Sequence, residues 1–180
     1  MALSKIDIEN MVTGEVNVAN GGTGLSSGTS GQFLKFTGST TLASAADNAG
    51  KILQVQSQTL NTEASTNSSS YADNGLTINI TPSATSSKVL VMVAHGMGYT
   101  SSGTEGKSKL LRDSTDLSEY IINVGLDASG GGSAINYLDS PNTTSQVTYK
   151  TQFKRNSGSG NYYICVNNST STITAVEIGA

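Results

Sequence analysis

The sequence has little charge and few residues that carry catalytic or metal chemistry. Asp, Glu, Lys and Arg make up 13% of its 180 residues, about half the usual quarter of a soluble domain. The single cysteine, Cys165, excludes a disulfide within the chain, and no cysteine framework or zinc motif is present. Polar positions are filled mostly by Ser, Thr, Asn and Gly, which is common in extracellular β-rich assemblies.

Several partners are excluded by what the chain lacks. The net charge is −3 and no basic cluster occurs, so the electrostatic footprint of nucleic-acid binding is missing. No apolar run approaches the ~18 residues of a membrane span, so we expect no membrane insertion. The first residues lack the hydrophobic core of a signal peptide. We therefore expect the protein to be made in a cytoplasm and to leave it only by cell lysis.

The stretch Lys88 to Gly98 contains the strongest strand signal. Its run Val89 to Ala94 is apolar at every position and rich in β-branched residues. Such a strand is dry on both faces and needs cover on both, from a second sheet or from a neighbouring subunit. We expect this strand to supply the core of a trimer, with these candidate residues: Val89, Val91, Met92, Val93 and His95.

Other segments alternate between apolar and polar residues, as half-buried strands do. Leu76, Ile78 and Ile80 show this pattern, and the segments Tyr120 to Leu126 and Val147 to Phe153 repeat it. Eight to nine such strands without helical periodicity predict an all-β fold, an antiparallel β-sandwich or jelly roll. We expect residues 51–180 to form this C-terminal knob and residues 1–50 to form an N-terminal anchor and Gly-rich shaft.

Residues 1–42 carry a resemblance. The segments Val-Ala-Asn-Gly-Gly-Thr-Gly-Leu-Ser (18–26), Gly-Gln-Phe-Leu-Lys-Phe (31–36) and Gly-Ser-Thr-Thr-Leu (38–42) resemble a shaft module of bacteriophage tail-fibre and related virion proteins. The opening Ala2 to Asp7 is similar to the start of such proteins. Short strands separated by glycines cannot bury a core alone and gain stability by wrapping identical copies around an axis. Long fibres have many copies of the module, whereas this chain has one.

The order of features from Ile78 to Ile178 also resembles trimeric jelly rolls of the tumour-necrosis-factor type and C-terminal domains of phage fibres. Together the resemblances imply a non-enzymatic homotrimer in a virion, without a cofactor, contacting other virion proteins of the tail or capsid. The first hypothesis is a short tail fibre or adhesin that binds the host surface, with a surface glycan as its candidate partner. The alternative is a capsid decoration (cement) protein that stabilises the head. A glycan-cleaving tailspike is disfavoured because no long β-helix repeat is present.

Two sets of residues are candidates for contacts outside the knob. Loops that are rich in Ser, Asn and Gly, with nearby tyrosines, are typical of binding surfaces. The receptor-facing candidates are Tyr71, Asp73, Tyr99, Ser101, Asp127 and Ser129. The apolar anchor candidates near the N-terminus are Ile6, Ile8, Met11 and Val12.

The remaining reactive residues have competing interpretations. Three copies of His95 on a three-fold axis could bind a metal or an anion, but an imidazole bonded to backbone or water is favoured. Cys165, between Ile164 and Val166, is interpreted as a small buried hydrophobe. Asp113, Asp116 and Glu119 match no calcium loop, so a solvated turn is favoured over a cation site.

Overall fold

The structure is a computed structural model that describes residues 29–39, 41–45, 50–100, 103–122 and 131–179. The chain divides into two units, Met1–Asn48 and Ala49–Ala180, and each is described by itself. Whether residues 1–50 and 51–180 behave as separate domains stays a prediction.

The described part of the first unit is a two-stranded antiparallel sheet. Its strands are β1 (Phe33–Phe36) and β2 (Leu42–Ala45), paired from Phe33 opposite Ala45 to Phe36 opposite Leu42. Phe33, Leu34 and Phe36 are each more than half exposed. An isolated two-stranded hairpin is marginally stable in water, so this sheet has apolar surface but no core of its own.

The described residues of the second unit contain ten strands, which form two antiparallel sheets. The strands are β3 (Ile52–Leu60), β4 (Ala64–Thr66), β5 (Ala72–Ile80), β6 (Lys88–Thr100), β7 (Glu105–Arg112), β8 (Thr115–Ile122), β9 (Gly131–Asp139), β10 (Val147–Ser157), β11 (Tyr162–Ile164) and β12 (Ser171–Ile178). A 3-10 turn, Val166–Asn168, separates β11 from β12. The all-β prediction is confirmed.

The strands are arranged as a jelly-roll sandwich. The four-stranded sheet has the order β5-β10-β7-β8, and the six-stranded sheet has the order β3-β12-β6-β11-β4, with β9 also paired to β6. From β5 to β7 and again from β8 to β12 the chain changes sheet between successive long strands. This interleaving brings the apolar face of each sheet against the other, as in double-sheet jelly rolls.

The main core lies between the two sheets. Alternate residues of β5, β6, β10 and β12 point inward, because side chains along a strand alternate between its faces. The buried core residues are Leu76, Ile78, Ile80, Val89, Val91, Val93, Leu110, Val147, Tyr149, Ile173 and Ala175. The predicted inward faces of the segments from Leu76 and from Val147 are therefore observed.

Among the described residues of its own chain, strand β6 is covered on one face and exposed on the other. Val89 and Val91 have no exposed surface, whereas Met92 is 36% exposed and Ala94 is exposed. The opposing sheet covers the inner side of β6, as expected. On the outer side the described residues of the second unit supply no covering layer.

Candidate functional site

At one end of the sandwich, which we call the loop end, lie the described strand ends that flank four connections. These connections join β3 to β5 (61–71), β6 to β7 (101–104), β8 to β9 (123–130) and β10 to β11 (158–161). Register places the flanking strand ends together, since Gly106 pairs with Ile122, Gly98 with Gly131 and Ser157 with Glu105. The opposite end, which we call the entry end, carries the connections 81–87, 113–114 and 140–146.

The described parts of the loop-end connections are bonded to one another. The amide of Gly160 donates to Oγ1 of the buried Thr104 over 2.9 Å. The amide of Arg155 donates to the carbonyl of Ser68 over 2.8 Å, and Asn156 Nδ2 donates to Glu105 Oε2. Three separate connections are thereby tied to the rim of the sandwich, which holds a loop surface on a rigid scaffold.

The chain enters the sandwich at the entry end. The amide of Gly50 donates to the carbonyl of Gly179 over 2.6 Å, and the amide of Gly179 donates to the carbonyl of Lys51 over 2.8 Å. Gly50 and Lys51 therefore lie at the end of the sandwich opposite the loop end.

A wholly buried carboxylate organises the entry end. Glu177 Oε1 accepts hydrogen bonds from the amide and the hydroxyl of Ser83, each 2.7 Å long, and Oε2 accepts one from Gln54 Nε2 over 2.6 Å. Burial alone would raise the pKa of Glu177, but donors from Gln54, Ser83 and Ser87 outweigh it and lower it to about 2. The ionised side chain fixes the connection between β5 and β6. Sequence reasoning missed it, although a glutamate in the alternating run Thr172 to Ile178 was a signal.

Two predicted receptor residues lie beside or within the four-stranded sheet. Tyr71 directly precedes β5, and its ring has the ammonium groups of Lys109 and Lys154 at 4.5 and 4.7 Å from the centroid. Its hydroxyl donates to Glu119 over 2.7 Å. Both ammonium groups lie over the ring and the hydroxyl is bonded to Glu119, so the ring and the hydroxyl of Tyr71 already make contacts within their own chain. Burial and the nearby Glu119 carboxylate raise the pKa of Tyr71 well above its usual value.

Asp73 is the second residue of β5 and does not lie in a loop. It accepts hydrogen bonds from Gln152 Nε2 (2.7 Å) and Lys150 Nζ (3.1 Å), which lower its pKa. Tyr99 lies in β6 opposite Tyr163. The other receptor candidates, Ser101, Asp127 and Ser129, lie outside the described residues, as do the anchor candidates Ile6, Ile8, Met11 and Val12.

The predicted trimer-core residues divide between the two faces of β6. Val89, Val91, Val93 and His95 point into the sandwich of their own chain and are at most 5% exposed, whereas Met92 points outward. Four of the five therefore have no surface to offer to another subunit. Copies of His95 could not meet on an axis unless the sandwich opened.

His95 is bonded within the sandwich through one nitrogen. Its Nε2 lies 2.6 Å from the hydroxyl of Tyr120, and Nδ1 has no hydrogen-bond partner. The register partner of His95 on β9 is Ser133, whose Oγ is also buried without a partner. Burial lowers the pKa of His95 to about 4, because the charged imidazolium would lose its hydration. The ring is thus neutral at physiological pH.

The other reactive groups are dispersed. The Cys165 thiol is buried and lies 2.9 Å from the Ser171 hydroxyl, as expected of a small buried residue. Asp113 is in the turn before β8 and accepts from the Thr148 amide, whereas Asp116 and Glu119 lie in β8. The predicted turn therefore covers only the first of the three carboxylates. Across the described ranges, no group of three or more His, Cys, Asp or Glu residues could hold a metal ion.

The outward face of the six-stranded sheet carries a row of apolar side chains. Register places Val55 of β3 beside Val176 of β12, Val176 beside Leu90 of β6, and Leu90 beside Leu138 of β9. We call these four residues the apolar row. Val55 is 54% and Leu138 56% exposed. The sequence pattern showed only that Leu90 and Met92 share one face of a strand. Placing the other three residues of the apolar row beside Leu90 requires the register of four strands.

Comparisons with known proteins give only distant likenesses. No protein-family model matches the chain, and no curated protein matches it. The insecticidal delta-endotoxin Cry8Ea1 from Bacillus thuringiensis is 15% identical at a TM-score of 0.35, with 68% of this chain and 20% of that chain covered. The structure of infectious bursal disease virus Gx strain gives 12% identity and a TM-score of 0.42, covering 81% and 36%. The VP2 subviral particle of infectious bursal disease virus is 12% identical at a TM-score of 0.39, with 81% of this chain and 37% of that chain covered.

In each case the chain spans well under half the length of the protein it matches. All three TM-scores are below 0.5, so these likenesses carry no argument about function. A search of the described segments for a membrane-crossing helix finds none with the necessary length and apolar character.

Proposed function

We propose that this protein is a structural component of a bacteriophage virion, a short tail fibre or adhesin that contacts the host surface. The observation that carries the proposal is the polarity of the sandwich. The second unit begins at one end through Gly50 and Lys51, and the strand ends that flank four connections lie at the other. A binding module tethered to a particle needs this arrangement, because its recognition surface must face away from the attachment point.

The chemistry of the loop end favours a neutral glycan as the surface that it binds. Its connections are built mostly from Ser, Thr, Asn, Gly and Ala, with Glu63 and Asp127 as the charged residues among them. Hydroxyl and amide groups recognise sugars by hydrogen bonds and not by ion pairs. Binding should therefore depend weakly on ionic strength.

The proposal includes assembly and location. The resemblance of residues 1–42 to a fibre shaft module supports a homotrimer that is bound to other tail or capsid proteins. The protein would be made in the host cytoplasm and released with the particle by lysis. Its role would be structural and not enzymatic.

The alternative is a capsid decoration protein, and one observation favours it. The sequence carries one copy of the shaft module, whereas a fibre that spans a distance from the particle needs several. In a decoration protein the knob would lie on the head, and Ile6, Ile8, Met11 and Val12 would anchor it there.

Exchange of loops distinguishes the two roles. Residues 101–104 and 123–130 are replaced by short neutral turns, with β6, β7, β8 and β9 kept intact. If the protein is an adhesin, particles assemble normally but adsorb to host cells far more slowly, because the recognition surface is gone. The measurement is the adsorption rate constant of purified particles.

The matched control is an exchange of 142–145, a connection of similar polarity at the entry end, which should leave adsorption unchanged. If adsorption survives the loop-end exchange, and particles without the protein lose genome on heating or at low ionic strength, the decoration role replaces the adhesin role.

A further inference from the structure

The two outward faces of the sandwich differ sharply in charge. The face of β3, β12, β6 and β9 carries the apolar row, and beside it Met92 and Ile52, which are 36% and 67% exposed. Between them lie small polar or apolar residues: Ser57, Thr59, Thr172, Thr174, Ala94, Ala134 and Asn136. On the described strands of this face the charged residue is Lys88, at the entry end, where Nζ donates to Ser140 Oγ over 2.6 Å.

The outward face of the four-stranded sheet is covered with paired charges. Three ion pairs lie on it: Lys107–Glu119 at 2.9 Å, Lys109–Asp116 at 2.8 Å and Lys150–Asp73 at 3.1 Å. This face is suited to solvent, because each of these six charges meets an opposite one at the surface of the sheet. One outward face of the sandwich is therefore rich in charge, whereas the other carries the apolar row and is almost uncharged.

The apolar row is continuous across four strands, which scattered surface residues are not. Single exposed apolar side chains are normal on a protein surface, but a contiguous apolar patch marks an interaction surface. The four members are adjacent partners in register, so their side chains form one ridge across the sheet. Val176, in the middle of the ridge, is already 8% exposed, so a partner would need to cover mainly the two ends and Met92.

The size of the face suits a protein contact. The ladder between β12 and β6 pairs seven residues, from Thr172 to Ile178. Four strands about 4.8 Å apart, with a rise of about 3.3 Å per residue over that length, project to roughly 440 Å². The accessible area of a side-chain surface exceeds its flat projection, and a standard interface buries about 800 Å² per partner. The face is therefore within about a factor of two of one standard contact.

We infer that this face is the contact between copies of this chain, with the apolar row of each copy packed against its neighbours around the three-fold axis of the proposed homotrimer. Apart from Lys88 at the entry end, a charged partner would find no opposite charge to pair with on the described strands of this face. A neighbouring copy presents the same surface, which is uncharged along the apolar row, so the row can be covered without burying an unpaired charge, which is the costly event in association. The inference deepens the proposed homotrimer by naming its surface, and it does not depend on which particle position the protein occupies.

The first test is the oligomeric mass of the full chain. Val55→Lys with Leu138→Lys places two ammonium groups at the exposed ends of the apolar row, where folding tolerates them because both side chains are already more than half exposed. Light scattering should give a multiple of 18.5 kDa for the wild type and a single 18.5 kDa chain for the variant. Thr115→Lys, at an exposed position of β8 in the other sheet, is the control and should keep the wild-type mass.

A second measurement does not depend on how the lysine variant folds. Thr174→Cys puts a thiol in the middle of the face, beside Met92 and Ser57. The native Cys165 is 1% exposed and should not react in the folded protein. The rate of maleimide labelling at position 174 should fall as protein concentration rises, in proportion to the associated fraction, whereas Thr115→Cys should react at a constant rate.

Three results would overturn the inference. They are a monomeric wild type at high micromolar concentration, an unchanged mass for the folded Val55→Lys, Leu138→Lys variant, and labelling of Thr174→Cys that matches Thr115→Cys at every concentration. Each is independent of the adsorption experiment, so loss of the adhesin proposal and loss of this surface are distinguishable.

Discussion

At the scale of single residues, His95 stands out as a buried titratable group that is bonded through one nitrogen. Tyr120 faces it, and burial raises the pKa of that hydroxyl well above its ordinary value. Tyr120 therefore stays neutral and offers no negative charge that would stabilise an imidazolium. Protonation of His95 therefore lowers the free energy of unfolding.

The stability of the protein should depend on pH through His95. With a pKa near 4 in the folded state and 6.5 in the unfolded state, the unfolded chain binds the proton first. The free energy of unfolding should therefore be unaffected above about pH 6.5, decline as pH falls, and be lower by up to about 3 kcal/mol near pH 4. Urea denaturation at fixed protein concentration measures it between pH 8 and 4.

His95→Gln is the matched variant, because an amide can keep the bond to Tyr120 but does not titrate. It should cost about 1–2 kcal/mol at pH 8 and show a flatter curve between pH 6.5 and 4. Parallel curves for variant and wild type would show that His95 is not the group responsible.

At the scale of elements, Glu177 connects strand β12 to the segment between β5 and β6. Its two oxygens accept from Ser83 and Gln54, so Glu177→Gln would place an amide donor against a donor. We expect a loss of about 2–3 kcal/mol at pH 7. Its folded pKa of about 2 lies below the ordinary 4.5, so this contribution is present above pH 4.5 and is lost as pH falls towards 2.

Chemical denaturation of the variant measures this loss. Glu119→Gln is the control, because Glu119 is an exposed carboxylate paired with Lys107; its removal should cost less than about 1 kcal/mol. Equal losses of unfolding free energy for the two variants would mean that burial of Glu177 does not increase its contribution to stability.

The strands were predictable where the sequence alternates. The run from Val147 to Phe153 forms the first part of β10, and the run from Leu76 to Ile80 forms the end of β5, because one face of each is buried by the opposite sheet. Shorter elements were missed. The predicted loop 61–73 contains β4 and the first two residues of β5, since Ala64–Thr66 is a strand only through its pairing with β11.

The candidate surfaces could not be read from the sequence because they depend on register. Val55 and Leu138 lie 83 positions apart and join the apolar row only when β3, β12, β6 and β9 are aligned. In the same way Tyr71 was a candidate for stacking on a sugar, and only the fold shows that Lys109 and Lys154 lie over its ring. Local pattern specifies which face of a strand is apolar, whereas topology decides what lies beside it.

At the scale of the whole second unit, the surfaces proposed for recognition and assembly are separate. The loop end is formed by connections between strands, and the apolar row lies across the side of the sandwich. A sandwich that associates through its side leaves its loop end free, so one copy can bind a surface while it packs against another. The charged outer face of the other sheet, with its pair Lys150–Asp73, then faces solvent.

The last prediction separates the contribution of the two units to assembly. A fragment beginning at Ala49 keeps the hydrogen bonds of Gly50 and Lys51 with Gly179 and contains the whole core and the whole apolar row. We expect it to keep the β-sheet circular dichroism of the full chain, with a free energy of unfolding within ~1 kcal/mol at equal concentration, since the core is complete within it. Light scattering should also show the same number of copies as in the full chain. A fragment that folds but stays monomeric would place the association in residues 1–48, and the apolar row would then be an exposed face without a role in assembly; a fragment that does not fold would show that the two units depend on one another.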